Sequence, residues 1–146
     1  MTKRFGLLAG LGFAAATMLT LFSTTYVAGQ VEQGKERPLK THHLMEGLVA
    51  PNCGALKKDL DAGPSDDKAW DKAAMKAELL NEASYILMAD GRCPDAVWAG
   101  AAKTLRARSA EVLTAIDAKD TDAAKTAFAA MTKACGACHK VHKKKK

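Results

Sequence analysis

The sequence predicts an all-α protein, an antiparallel up-down-up-down bundle of four helices. From residue 38 onward the apolar residues recur every three or four positions, as in an amphipathic helix, and no alternating β-branched run indicates a strand. Prolines, glycines and capping residues divide this stretch into four segments with short connections. Short connections favour antiparallel neighbours, so we expect a bundle.

The first two helices have clear start and stop signals. Pro38 suits the first turn of the first helix, and Pro51 predicts a kink or break just before it. Gly63 follows the end of this helix, and Ser65 or Asp66 caps the second. The stripes expected to face the core are Leu44, Met45, Leu48, Val49, Leu56 and Leu60 on the first helix, and Trp70, Ala73, Ala77, Leu80, Ser84, Leu87 and Met88 on the second.

The third helix is expected to follow Asp90-Gly91 and to begin with Pro94, and the fourth to begin at Asp120 or Thr121. Their stripes are Trp98, Ala101, Leu105, Val112 and Ile116, then Ala124, Phe128, Met131, Cys135, Cys138 and His142. Many stripe positions are alanine, and few aromatic residues remain after residue 29. Such a bundle is short of core volume unless a ligand fills part of it.

The N-terminus has the pattern of a secretory signal peptide. Lys3 and Arg4 precede an uncharged, mostly apolar stretch from Phe5 to Phe22, and small residues around Gly29 suit cleavage after it. The alternative is an uncleaved membrane anchor, and both place the remainder outside the cytoplasm, in the periplasm. The chain then divides into a signal peptide (1–29), a linker (30–37), a helical domain (38–142) and a basic tail (143–146).

The charge distribution argues against nucleic-acid binding. The net charge is +6, but it includes Lys3 and Arg4 of the signal peptide and the tail Lys143–Lys146. The helical domain is therefore near neutral and lacks the broad basic face of a nucleic-acid-binding domain.

Cys135-Gly136-Ala137-Cys138-His139 is a C-x-x-C-H sequence, the signature of covalent haem c attachment. Positions i, i+3 and i+4 share one face of a helix, so both thiols can form thioethers with one porphyrin while His139 binds its iron. A thioredoxin-like redox pair would need a βαβ context, and a zinc site would need a second ligand pair. We therefore predict one haem c near the C-terminus of the fourth helix.

With this motif so placed, residues 38–143 resemble the class II c-type cytochromes, the cytochrome c-prime-like family. That family carries an aromatic residue and an arginine where this chain has His142 and Lys143. The resemblance implies a single-haem electron-transfer protein without enzymatic activity, its iron cycling between Fe(II) and Fe(III). The alternative is the c-prime branch, which binds gases such as NO and CO at an open distal site.

The residue opposite His139 on the iron separates these functions. Met45 lies where the low-spin branch has its ligand methionine, so the resemblance implies that Met45 is the distal ligand. The alternatives are a Met45 that only packs in the core, and a ligand from His42 or His43. His142 is expected to be a neighbour of the haem rather than a ligand.

Cys53 and Cys93 remain, and an even pair of cysteines in an exported protein suggests a disulfide. They can meet if Pro51 ends the first helix early, and two buried free thiols are the alternative. Lys140 and the tail form either a solvated end, a docking patch for an acidic redox partner, or a contact with an anionic membrane. Dimerisation stays open.

Overall fold

A computed structural model describes Gly34 and residues 36–143, which form four helices and no β-strand. The all-α prediction is confirmed for this part of the chain. The predicted signal peptide, the start of the predicted linker and the tail lysines after Lys143 lie outside the described residues. The first helix has three consecutive segments, Thr41–Leu44, Met45–Val49 and Ala50–Ala62, and the others span Asp67–Ile86, Ala96–Asp117 and Thr121–His142.

Aspartate side chains cap the second, third and fourth helices. Asp66, Asp95 and Asp120 each accept a hydrogen bond from the backbone N–H three residues later, at 2.7, 2.9 and 2.9 Å. Two of these caps agree with the prediction. The expected start of the third helix at Pro94 is wrong, because the Asp95 carboxylate supplies the cap and Pro94 precedes the helix.

The kink or break predicted just before Pro51 takes the form of a π turn, through which the first helix continues. Residues Met45–Val49 form a π turn, in which the N–H of Ala50 bonds to the carbonyl of Met45 five residues earlier. Proline has no N–H and its ring crowds the carbonyl four residues before it, so a wider turn accommodates Pro51. The turn also places Leu44 and Val49 together on the buried face, at 2% and 9% exposure.

The start of the first helix also differs from the expectation. The helix begins at Thr41, after Lys40, and Pro38 belongs to the extended segment before it. Within that segment Gly34 is buried, and the side chain of Arg37 bonds to Asp90 in the connection between the second and third helices. The later part of the predicted linker is therefore held against the helices.

Each helix packs against the next along the chain, and the first also contacts the fourth. Large apolar side chains fill the centre, and alanines such as Ala73, Ala77 and Ala124 are fully buried where helices approach closely. The fully buried large apolar residues are Leu44, Leu56, Leu60, Leu80, Val112 and Met131. This arrangement is consistent with a helical bundle.

Candidate functional site

The structure brings the four predicted site residues to one cavity. Met45, Cys135, Cys138 and His139 all line one almost wholly apolar cavity, whose volume is about 50 Å³. The remaining lining residues are Val49, Leu87, Trp98, Ala101, Ala102, Leu105 and Ala134. They come from the start of the first helix, the end of the second, the start of the third and the end of the fourth.

The cavity exists because its walls are small where a regular core would have large side chains. Three of its lining residues are alanines, and a single large aromatic, Trp98, closes one side. The Trp98 indole is 3% exposed, and its Nε1 donates a hydrogen bond to the carbonyl of Leu87 at 2.7 Å. This bond satisfies the buried N–H and fixes the ring against the cavity.

The two motif thiols are half-buried, free and protonated at neutral pH. Burial raises the pKa of Cys135, and it raises that of Cys138 to about 11, with further contributions from Cys135 and Asp95. Neutral thiols on an apolar wall suit a site that takes up a largely apolar ring. The geometry of the motif is the one that the sequence predicted, with both cysteines on the cavity side of the fourth helix.

His139 is more exposed than the thiols and lies at the cavity edge. Partial burial, and then the nearby Lys143, lower the pKa of His139 below its usual value. Both effects favour the neutral imidazole, which is the form that binds a metal ion.

Met45 is half-buried and is the first residue of the π turn. The histidines considered as alternative ligands lie elsewhere: His42 and His43 are exposed, face each other with ring centroids 4.0 Å apart, and do not line the cavity. Met131 is fully buried in the core, and the exposed Met75 lies on the second helix. Among the methionines of the described residues, Met45 is the one that lines the cavity.

His142, predicted as a neighbour of the site, is almost completely buried, at 3% exposure. Its ring meets the edge of Trp98 at a centroid distance of 5.2 Å, and its Nε2 lies 3.4 Å from a carboxylate oxygen of Asp95. Neither ring nitrogen has a hydrogen-bond partner among the described residues. His142 thus packs behind the wall that Trp98 forms.

Sequence reasoning assigned Trp98, Ala101 and Leu105 to the core rather than to the site. The apolar stripe that these three residues form on the third helix was visible in the sequence, and all three line the cavity. A stripe that faces a ligand and a stripe that faces another helix have the same period, so periodicity alone could not separate them.

The predicted Cys53–Cys93 disulfide is wrong, since both cysteines are free. The prediction required an early end to the first helix, but that helix continues and carries Cys53 into its α-helical part. Burial, and then the charge of Cys135, raise the pKa of the Cys53 thiol. Cys93 instead bonds to the carbonyl of Asp95 at 3.5 Å.

The chain matches no protein-family model, no curated protein and no solved structure. Within residues 36–143 no helix is long and apolar enough to cross a membrane. The same residues contain no group of three or more His, Cys, Asp or Glu side chains placed to hold a metal ion.

Proposed function

We propose that this protein is a single-haem c-type cytochrome of the class II kind that transfers electrons in the periplasm. The observation that carries the proposal is the meeting of Met45 with the C-x-x-C-H motif at one apolar cavity. Met45 and the motif lie at opposite ends of the domain sequence, so spacing alone could not place them together. The alanines that line the cavity also agree with the shortage of core volume that the sequence predicts.

The residues present fit a haem c. Cys135 and Cys138 would hold it through thioether bonds, and His139 and Met45 would bind the iron. When bound, the group supplies an iron that accepts and releases one electron between Fe(II) and Fe(III). The thioether of Met45 would favour the reduced iron, and Trp98 with the neighbouring alanines would give the group an apolar wall.

Up-down-up-down topology is part of this proposal. The cavity is lined from alternate ends of successive helices, as antiparallel neighbours require. The connections after Ala62 and Asp117 are short, which favours the same order.

Charge near the cavity supports an acidic redox partner. The ends of the helices that form the cavity carry exposed lysines, and the opposite ends carry aspartates mixed with exposed lysines such as Lys68 and Lys119. Lysines around an electron-transfer site steer a partner of opposite charge and orient its approach. The exposed lysines at the cavity end are Lys40, Lys103, Lys140 and Lys143, and the aspartates at the opposite end include Asp66, Asp67, Asp117, Asp120 and Asp122.

A second candidate is gas binding at an open distal site. It is favoured by one observation: Met45 is only half-buried and the cavity opens to solvent. In that case Met45 packs beside the haem and leaves the iron free to take CO or NO.

Optical spectra of the exported protein, ferric and ferrous and with and without CO, test the proposal. We expect a covalent haem whose low-spin spectrum does not change with CO. Met45→Ala should then give a high-spin iron that binds CO, while Met75→Ala, a change at the exposed methionine outside the cavity, should leave the spectrum unchanged. A wild-type ferrous iron that binds CO would favour the gas-binding function, and no covalent haem would refute both.

A further inference from the structure

We propose that Arg92 is a positioning residue for Met45. By binding the chain just before the first helix, Arg92 sets the position of the turns that carry this methionine. The inference rests on the proposed function, in which Met45 is the distal ligand. Arg92 itself does not line the cavity.

The Arg92 side chain is fully buried and binds two partners from different parts of the chain. Its Nη2 donates to the carbonyl of Leu39 at 2.8 Å, and its Nη1 donates to Asp90 Oδ2 at 2.7 Å. Arg37 Nε bonds to the same Asp90 oxygen at 2.6 Å. Two arginines and one carboxylate thus tie the segment before the first helix to the connection between the second and third.

The start of the first helix lacks the local features that hold the other helices. Lys40 makes no side-chain capping bond, whereas Asp66, Asp95 and Asp120 cap the other three helices. The π turn and Gly47 follow directly, and glycine has low helix propensity. Because a short turn of helix is unstable alone, its position depends on contacts made from outside it.

Gly34 shows how closely the chain passes over the guanidinium. A Cβ at this position would collide with Arg92 Nη2 and would lie 2.9 Å from the carbonyl of Arg37. Only a residue without a side chain allows this approach. The covering chain keeps water away from the Arg92 bonds, which strengthens them.

The bond from Arg92 to Leu39 fixes the chain six residues before Met45, on the N-terminal side of the π turn. A wide turn with a glycine is the part of the helix where the two flanking segments can most easily shift relative to each other. Loss of the anchor should therefore displace Thr41–Val49 and leave Ala50–Ala62 in place.

The test compares Arg92→Met with Lys76→Met in the exported holoprotein. Lys76 Nζ bonds to Asp59 Oδ2 at 2.5 Å, so this partly buried ion pair also ties the first helix to the second, but beyond the π turn. We expect Arg92→Met to raise the CO affinity of the ferrous protein about tenfold or more, because the state with Met45 displaced becomes more populated. Lys76→Met should lower stability without changing CO affinity.

Hydrogen exchange of the haem-free full-length chain gives a second readout that does not need the iron. Amide protection in Thr41–Val49 should fall about tenfold more than in Ala50–Ala62 in Arg92→Met, and not in Lys76→Met. Equal effects of the two variants on both readouts, or no effect of Arg92→Met, would overturn the proposal. If Arg92→Met does not fold, Gly34→Ala is the milder change and should give the same pattern.

Failure of the proposed function looks different. Wild-type protein without covalent haem, or with a ferrous iron that already binds CO, would refute Met45 ligation. Exchange in the haem-free chain would then still decide whether Arg92 holds these turns.

Discussion

Replacing His142 with phenylalanine should stabilise the protein, although it alters a buried residue of the fourth helix. His142 is 3% exposed, and neither of its ring nitrogens has a hydrogen-bond partner among the described residues. A buried polar group without a partner costs about 1–3 kcal/mol, and replacing it with an apolar group of the same shape removes that cost. Phenylalanine keeps the edge-to-face contact that the imidazole makes with Trp98.

The expected gain in the free energy of unfolding is the cost removed with the imidazole less the cost of fitting the new ring. The benzene ring is slightly larger than imidazole, and fitting it into a packed site costs about 1 kcal/mol. We therefore expect the free energy of unfolding to rise by up to about 2 kcal/mol, or the Tm by up to roughly 8 °C. Asp95 keeps its role as a helix cap, because its Oδ1 still accepts from the N–H of Trp98 at 2.9 Å.

Urea denaturation of the protein at neutral pH, followed by circular dichroism, measures this change. His42→Phe is the matched control, because His42 is exposed and its replacement should change stability by less than about 0.5 kcal/mol. A loss of 1 kcal/mol or more in His142→Phe would refute the reasoning.

Three further predictions concern titration and packing. Arg37 and Arg92 hold the pKa of Asp90 below its usual range, so this contribution to stability is complete above the unfolded pKa of about 4 and is lost as the pH falls through the lower folded value. The difference in unfolding free energy between wild type and Asp90→Asn should be constant above about pH 5 and shrink below about pH 4, and a difference that does not change down to acid unfolding would contradict this. In the haem-free protein, the rate of Cys138 alkylation by iodoacetamide, followed by mass spectrometry, should rise with pH until about 11, and a plateau near pH 9 would show that burial does not raise its pKa. Trp98→Phe removes the hydrogen bond to the Leu87 carbonyl, so thermal unfolding should show a loss of about 1–2 kcal/mol with helix content unchanged.

Much of the fold could be predicted because local interactions determine it. Helix number follows from hydrophobic period and stop signals, and the caps at Asp66 and Asp120 follow from side chains that bond within their own first turn. The spacing of Cys135, Cys138 and His139 is likewise local to one helix, so the sequence alone placed them on one side of it. Met45 was assigned by resemblance, and the cavity supports that choice over His42 and His43.

Tertiary structure decided the features that depend on residues distant in the sequence. Pro51 alone indicates a break, but the burial of both Leu44 and Val49 keeps the first helix continuous through a π turn. That continuity also separates Cys53 from Cys93.

Long-range contacts likewise determined the site beyond its motif. Trp98 lines the cavity together with residues of the other helices, and Arg92 bonds to the carbonyl of Leu39. No local pattern in the sequence connects these elements. The sequence by itself determines helices, caps and the spacing of a motif, because these depend only on residues close together in the chain. The placement of one element against another is decided by which buried surfaces and polar groups find partners once all the helices are packed.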